Sequence, residues 1–343
     1  MSSKNTPTVA VVGATGLVGR TMLQVLHELD FPVGGLRLLA SARSEGMMLR
    51  FRDANYPVQA LGPESFNGVD IALFSAGGDI SREYAPIAAA AGAVVVDNSS
   101  AWRMHPQAPL VIPEVNADAI DGHRGIIANP NCSTIQMLVA LAPLDKAFGL
   151  THVSVSTYQS PSGAGEKGVQ QLHDELAKKA GGKSPFPHRV AFNTVFHEIK
   201  EQDGYSVEEL KMIAETHKIL ARPELPVTAT CVRVPVLGGH GEAILAEFER
   251  PVEPQEARHV LENAPGIIVQ DRPQNDVYPT CLNADGRNEV FVGRIRRDNS
   301  RANGLHLWVV ADNVRKGAAT NAVQIAAELV ERGLPAFTPP ARW

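Results

Sequence analysis

Thr8-Val9-Ala10-Val11-Val12-Gly13-Ala14-Thr15-Gly16-Leu17-Val18-Gly19 is the stretch on which the fold turns. Its first five residues are an apolar, β-branched run without polar alternation, the pattern of a strand covered on both faces in a parallel sheet. Glycines follow at 13, 16 and 19, and Leu17, Val18, Met22, Leu23, Val25, Leu26 and Leu29 then recur at helical spacing. Strand, glycine turn and helix in that order make a G-x-x-G-x-x-G variant of the dinucleotide fingerprint. Small residues let the backbone approach a pyrophosphate, which then sits on the helix N-terminus. Gly13, Ala14, Thr15, Gly16, Leu17 and Val18 are therefore candidate cofactor-binding residues.

The chain continues in the same alternation. A second strand, Leu36 to Ala40, ends in Ser41-Ala42-Arg43-Ser44, where an NAD site would carry Asp or Glu for the ribose 2′-hydroxyl. Ser41, Arg43 and Ser44 suit a 2′-phosphate instead, which predicts NADP. A strand over Val69–Phe74 ends in another small-residue turn, Ser75-Ala76-Gly77-Gly78, where a cofactor can lie close. An Ala-rich helix from Arg82 to Ala91 leads to the strand Ala93–Asp97, so the first part of the chain reads as a doubly wound parallel sheet. The polar loop Asp97 to Arg103 follows, and Arg103 can clamp a phosphate or carboxylate with its planar fork.

Asn129-Pro130-Asn131-Cys132-Ser133-Thr134 lies between a short apolar strand, Gly125–Ala128, and the apolar run Ile135–Leu141. Turn chemistry, then Ser133 or Thr134 opening a helix, puts Cys132 at a helix N-terminus. There the backbone amides and the helix dipole favour thiolate, which makes Cys132 the candidate nucleophile. Cys231 and Cys281 are too far away in sequence to suggest a disulfide framework or a zinc site, so no metal is expected.

Beyond that helix the pattern changes. His152 to Gln159 alternates like a half-exposed strand and ends in Ser160-Pro161-Ser162-Gly163-Ala164-Gly165, a turn that admits a ligand. A helix from Lys167 to Lys179 and a Gly/Pro-rich loop, Gly181 to Pro187, come next. Ser206 caps a helix running to Leu220, with Glu209 at the capping-box position. Glu208 and Lys211 share one face of it, as a surface ion pair or as binders for the two ends of a zwitterion. Arg233 lies in the β-branched strand Val227–Val236 and needs a partner or ligand. His240 stands among glycines in Leu237-Gly238-Gly239-His240-Gly241-Glu242, placed to reach a substrate as acid and base. Glu249 to Ala264 reads as an inserted helix-bearing loop, and Glu289–Ile295 pairs with Gly304–Val310 as a hairpin. A final helix, Lys316 to Arg332, is apolar enough to pack on the nucleotide sheet, which would make the nucleotide domain discontinuous.

At 343 residues the chain accommodates two domains. A formal net charge of -5 offers no basic face for nucleic acid or an anionic membrane. The first residues lack a signal-peptide layout, and no apolar run is long enough to span a bilayer, so a reducing, cytoplasmic setting is expected.

With Asn129-Pro130-Asn131-Cys132, the Gln159 that follows 27 residues later, Arg233-Val234-Pro235, His240 and Gly317-Ala318-Ala319-Thr320-Asn321-Ala322 in hand, the chain resembles the aspartate-semialdehyde dehydrogenase family from Val9 to about Ala327. The resemblance implies an α/β fold: a Rossmann-type domain over 1–132, completed by about 314–343, and an α+β catalytic and dimerisation domain with a mixed sheet over 133–313. It implies reversible, NADPH-dependent reductive dephosphorylation of 4-aspartyl phosphate to aspartate 4-semialdehyde, in the lysine, threonine, methionine and diaminopimelate branch of amino-acid biosynthesis. A homodimer or homotetramer is implied too. By resemblance Cys132 is the nucleophile, His240 the acid/base and Gln159 the residue that orients the acyl intermediate. Arg103 and Lys211 bind phosphate. Arg233 binds the substrate carboxylate and Glu208 its amine, Glu208 being preferred over Glu209 for its spacing to Lys211. Asn131 belongs with the substrate binders, and Ser75, Ala76, Gly77, Ser162, Gly163 and Asn321 with the cofactor binders. Two departures from the family pattern stand out. Pro161 removes a backbone donor from the loop after Gln159, and Gly241 replaces the usual Ser after His240, which would loosen the histidine. The rival readings are an N-acetyl-γ-glutamyl-phosphate reductase-like enzyme, whose acetylated substrate has no free amine for Glu208, and a non-catalytic nucleotide-binding relative.

Overall fold

A computed structural model of the chain describes residues 6–179, 184–199, 204–334, 336–341 and 343. It divides into two compact units, Met1–Pro130 with Ala318–Trp343, and Asn131–Gly317. The sequence places the first border after Cys132 and the return near 314. The observed borders differ because Asn131 hydrogen-bonds to Glu208 and Glu215 of the second unit, and Gly317 lies against Cys132.

The first unit is built on β1 (Thr8–Val12), α1 (Leu17–Glu28), β2 (Gly35–Ala40), β3 (Met48–Phe51), β4 (Ala54–Ala60), β5 (Ile71–Phe74), α2 (Gly78–Ala90), β6 (Val94–Asp97), α3 (Pro113–Asn116) and β7 (Ile126–Ala128). Its seven strands run in the order β3-β4-β2-β1-β5-β6-β7, all parallel except edge strand β3. The apolar runs Val9–Val12 of β1, Ile71–Phe74 of β5 and Val94–Val96 of β6 follow from burial on both faces: every residue of β5 and β6 is buried. The chain leaves β1 for β2 on one side and returns to β5 on the other. The carboxyl ends of β1, β2 and β5 thus meet at a topological switch point, where open α/β sheets bind ligands. The C-terminal helix, Asn321–Glu331, belongs to this unit and puts Ala322, Val323, Ile325, Ala326 and Leu329 into one core cluster with Val9, Val11, Met22 and Leu26. Regular α-helix starts there at Asn321 rather than Lys316, after a π-helical segment over Arg315–Thr320.

The second unit comprises α4 (Cys132–Phe148), β8 (Leu150–Gln159), α5 (Glu166–Leu176), β9 (Val195–Phe196), α6 (Val207–Leu220), β10 (Val227–Arg233), β11 (His240–Phe248), α7 (Pro254–Glu262), β12 (Ile267–Val269), α8 (Cys281–Ala284), β13 (Val290–Arg297) and β14 (Gly304–Ala311). Its mixed sheet has the order β12-β13-β14-β11-β8-β10-β9, with β10 parallel to β8 and β12 parallel to β13. β13 and β14 form the expected antiparallel hairpin. Gly181 to Lys183, the start of the Gly/Pro-rich loop, lie outside the described residues. Among the described residues no helix is long and apolar enough to cross a membrane.

Candidate active site

The helix carrying Cys132 begins one residue earlier than Ser133. Asn131 is its N-cap, and its Oδ1 accepts hydrogen bonds from the amides of Ser133 at 2.9 Å and Thr134 at 3.2 Å. Cys132 is therefore the first helical residue, partly exposed, at the positive end of the 17-residue helix α4. Gly317 packs against it. A Cβ at 317 would stand 2.6 Å from the Cys132 Cβ, so only glycine fits beside the thiol. Asn131 is held in turn, its amide donating to Glu215 at 2.6 Å and its Nδ2 to Glu208 at 2.8 Å. In this arrangement Asn131 positions the helix start and the carboxylate.

Three of the expected residues form a row across adjacent strands. Arg233 of β10 and His240 of β11 both pair in register with Gln159 of β8, which explains how residues 27, 101 and 108 positions beyond Cys132 come together. Gln159 is buried and points its Nε2 at Ser133 Oγ (2.9 Å), Glu208 Oε1 (3.2 Å) and Thr157 Oγ1 (3.3 Å). Arg233 donates from Nη1 to the Ser160 carbonyl at 3.0 Å, and its guanidinium lies 4.9 Å over the Phe186 ring.

His240 is fully buried, and burial holds its imidazole down to about 3 despite the Gly239 carbonyl, so it is neutral near pH 7. Its Nδ1 sits between a donor, the Ser160 amide at 3.1 Å, and an acceptor, the Gly239 carbonyl at 2.9 Å. The backbone can thus satisfy either tautomer. Nε2 has no hydrogen-bond partner among the described residues. Gly163 supplies space there, since a Cβ would come within 3.5 Å of Nε2 and 3.2 Å of Arg233 Nη1.

Glu208 and Lys211 lie on one face of α6, 3.3 Å apart. Glu208 is only 7% exposed, which excludes the solvated-pair reading. Burial pushes its carboxyl up, but Lys211, His197 and hydrogen bonds from Asn131 and Gln159 outweigh this and hold it at about 2. The neighbouring glutamate does different work. Glu209 accepts from the Ser206 amide at 2.6 Å in the capping box and from the Cys231 amide at 2.8 Å. Glu208 is thus the carboxylate that faces the cluster.

The two departures in sequence have local explanations. Pro161 is the first residue of a 3₁₀ turn, Pro161–Ala164, capped by Ser160 Oγ accepting from the Ser162 amide at 3.0 Å. No backbone donor is needed from that first position. Ser162 Oγ donates to Asn313 Oδ1 at 3.0 Å. Gly241 pairs with both Tyr158 and Val310, and a Cβ there would come within 2.7 Å of the Trp308 ring. His240 therefore stands on a continuous double ladder, and the expected loosening does not arise.

In the first unit the glycine turn is cut to shape. Gly13 has φ +82° and its amide donates to the Leu39 carbonyl at 2.8 Å. A Cβ on it would lie 2.4 Å from the Ser75 carbonyl oxygen, and one on Gly19 2.2 Å from that of Gly13. Gly16 is the N-cap of α1. The Gly13–Val18 turn, the Ser75-Ala76-Gly77 turn and the exposed Ser41 and Arg43 with half-buried Ser44 all follow the switch-point strands. Gly77, at φ +88° with open space around it, lets a ligand come up to the backbone. Arg103 is buried in the loop after β6 and donates to the carbonyls of Asn129 (2.9 Å) and Asn98 (3.0 Å). Asn321 is fully buried. Its Nδ2 donates to Asn129 Oδ1 at 2.7 Å and to the Val111 carbonyl at 3.0 Å, which ties the start of the C-terminal helix to the loop after β7.

A semialdehyde dehydrogenase NAD binding domain model matches residues 8–123, and the semialdehyde dehydrogenase dimerisation domain model matches 141–316. An aspartate-semialdehyde dehydrogenase of Aquifex aeolicus is 56% identical over 335 residues, covering 95% of this chain and 98% of the relative. The chain belongs to the aspartate-semialdehyde dehydrogenase family. The aspartate-semialdehyde dehydrogenase of Bacillus subtilis is 49% identical over 95% of this chain and 98% of its own. Among solved structures, aspartate semialdehyde dehydrogenase II of Vibrio cholerae complexed with ASA superposes with a TM-score of 0.91 at 48% identity, covering 95% of this chain and 98% of that one. The Candida albicans aspartate semialdehyde dehydrogenase with NADP gives 0.75 at 26% identity, covering 96% and 100%.

Sequence reasoning passed over two members of the site of this aspartate-semialdehyde dehydrogenase relative. Glu242 follows His240 by two residues on β11 and so shares its face. It is fully buried, and burial raises its carboxyl well above the ordinary range against Gln136 and Ser133. Strand periodicity alone would have pointed to it. His197, in the loop after β9, carried no such signal.

Proposed function

We propose that this chain catalyses the reversible, NADP-dependent phosphorylating oxidation of aspartate 4-semialdehyde to 4-aspartyl phosphate, in amino-acid biosynthesis. The observation that carries the proposal is the Arg233–Gln159–His240 row beside the helix start that bears Cys132, with Glu208 and Lys211 joined to it through Asn131 and Gln159. In the reductive direction the Cys132 thiolate attacks C4 of the acyl phosphate. The bond to the phosphate oxygen breaks, phosphate leaves and a thioester remains on Cys132. NADPH, when bound, supplies the hydride. Hydride addition leaves a thiohemiacetal oxyanion, which the neutral His240 ring steadies by donating a hydrogen bond from Nε2, and the carbonyl re-forms as the C–S bond breaks, which returns the thiolate and releases the aldehyde. Gln159 orients the acyl group, Arg233 holds the α-carboxylate, Glu208 the α-ammonium, and Lys211 and Arg103 the phosphate.

The close-packed Gly13 and the open backbone at Gly77 fit a dinucleotide, with Ser41, Arg43 and Ser44 toward the 2′-phosphate, and the family resemblance adds Ser162 and Gly163 as cofactor binders. The free ammonium demanded by Glu208 speaks against an acetylated glutamyl substrate. The relatives' dimerisation domain supports a homodimer or homotetramer, and we place the enzyme in the cytoplasm. The test is phosphate-dependent NADP reduction with aspartate semialdehyde. Cys132→Ser should abolish it while leaving NADP binding and fold intact, because a serine hydroxyl is not ionised near neutral pH. Substantial turnover by that variant would exclude Cys132 as the nucleophile.

A further inference from the structure

β9 pairs antiparallel with β10, setting Val195 opposite Arg233 and Phe196 opposite Val232. Two-residue periodicity then gives His197 the same face as Val195 and Arg233. The chain next runs along the start of α6: the Val207 amide donates to the Glu198 carbonyl at 2.8 Å, and Ile199 bridges to Ser206. His197 is thus caught between the strand of Arg233 and the helical turn of Glu208 and Lys211. Its Nε2 is buried without a hydrogen-bond partner among the described residues. A buried polar nitrogen left unpaired is costly, so a site that keeps one usually supplies its partner from outside.

We propose that His197 is a further substrate-binding residue, its Nε2 accepting a hydrogen bond from the substrate α-ammonium beside Glu208. The proposal rests on the assignment of Glu208 and Arg233 to the amino-acid end of the substrate. An ammonium brings three donors, whereas the two Glu208 oxygens already receive Asn131, Gln159 and Lys211. A second acceptor is needed, and the charged groups around His197 exclude the other role for it. Arg233 already serves the carboxylate. Burial, against the pull of Glu208 and with Arg233 and Lys211 adding to it, keeps the imidazole neutral by holding it at about 4, so near pH 7 a ring nitrogen has a lone pair to offer.

The experiment compares aspartate semialdehyde with its deamino analogue, succinate semialdehyde, in the full-length enzyme. His197→Leu and His197→Asn withdraw the acceptor from the Nε2 position, whereas His197→Gln keeps an amide oxygen near it. The first two should raise KM for aspartate semialdehyde about tenfold, with kcat and the KM for phosphate changed less than about threefold. His197→Gln should recover most of the loss. For succinate semialdehyde, read as kcat/KM or as competitive inhibition, all three variants should match wild type within about twofold. Equal losses with both compounds, or no loss with the amino substrate, would overturn the assignment and leave the functional reading standing. A wild-type enzyme without phosphate-dependent turnover would overturn both.

Discussion

Replacing Glu208 by Gln keeps the shape of the side chain and removes its charge from a site that is built for it. In the folded protein burial works against that charge, yet Lys211 at 3.3 Å and the donors on Asn131 and Gln159, joined by His197 once acid protonates it, prevail and hold the carboxyl at about 2, against an ordinary 4.5. A difference of that size corresponds to about 3 kcal/mol favouring the ionised group in the native state. A depressed native pKa contributes stability that is present above the unfolded value and is lost as pH falls through the native one. Wild type should therefore exceed Glu208→Gln by about 3 kcal/mol at pH 7, almost unchanged down to pH 5. At pH 3, between the two values, the gap should shrink to about 1 kcal/mol. Urea unfolding of both proteins at matched concentrations, at pH 7, 5 and 3, measures the gap directly, and the semialdehyde KM should rise in the variant at pH 7. A gap that stays constant from pH 7 to pH 3, or that is absent at pH 7, would refute the account of Glu208 as a carboxylate stabilised by its neighbours.

Two further outcomes follow from the same geometry. Arg43→Glu should weaken NADP by at least about tenfold while leaving NAD within about threefold, since it removes a phosphate partner and adds a like charge. Paired cofactor titrations check this, and equal losses would release Arg43 from reading the 2′-phosphate. Arg233→Ala should raise KM for the semialdehyde, by an amount equivalent to about 2–5 kcal/mol of binding, whereas Lys211→Ala should raise KM for phosphate. Varying the two substrates separately separates the cases, and a variant pair that perturbs both substrates alike would show the division of labour to be wrong.

How much of this was legible depended on whether local pattern or long-range register set each feature. The glycine turn and the runs at Val9–Val12, Ile71–Phe74 and Val94–Val96 were readable because burial on both faces forces uniform apolarity onto a parallel strand. The β3–β4 hairpin was not, because its residues are largely exposed and alternate weakly. At the site, the Ser206 capping box showed itself through fixed local spacing. That Asn131 rather than Ser133 opens α4 did not, because either side chain can cap and the tertiary bonds that Asn131 donates to Glu208 and Glu215 decide between them. The neighbourhood of Arg233, Gln159 and His240 depends on pairings between strands far apart in the chain, and only the family resemblance joined them beforehand. His197 is reached through the β9–β10 register, which nothing in its own surroundings announces.

The discontinuous first unit has a consequence for how the protein comes into being. Its core cluster holds Ala319, Ala322, Val323, Ile325, Ala326 and Leu329 in company with residues from Val9 onward. During synthesis the sheet of the first unit emerges early, with apolar surface intended for a helix made only after the whole second unit. At ribosomal rates of about 5–20 residues per second, that surface stays uncovered for at least about ten seconds. Closing it joins segments about 300 residues apart, a contact of very long sequence separation that favours slow completion. Nascent chains halted before Asn321 should therefore be held by chaperones and cut readily by protease across the first unit, whereas chains released beyond Glu331 should resist.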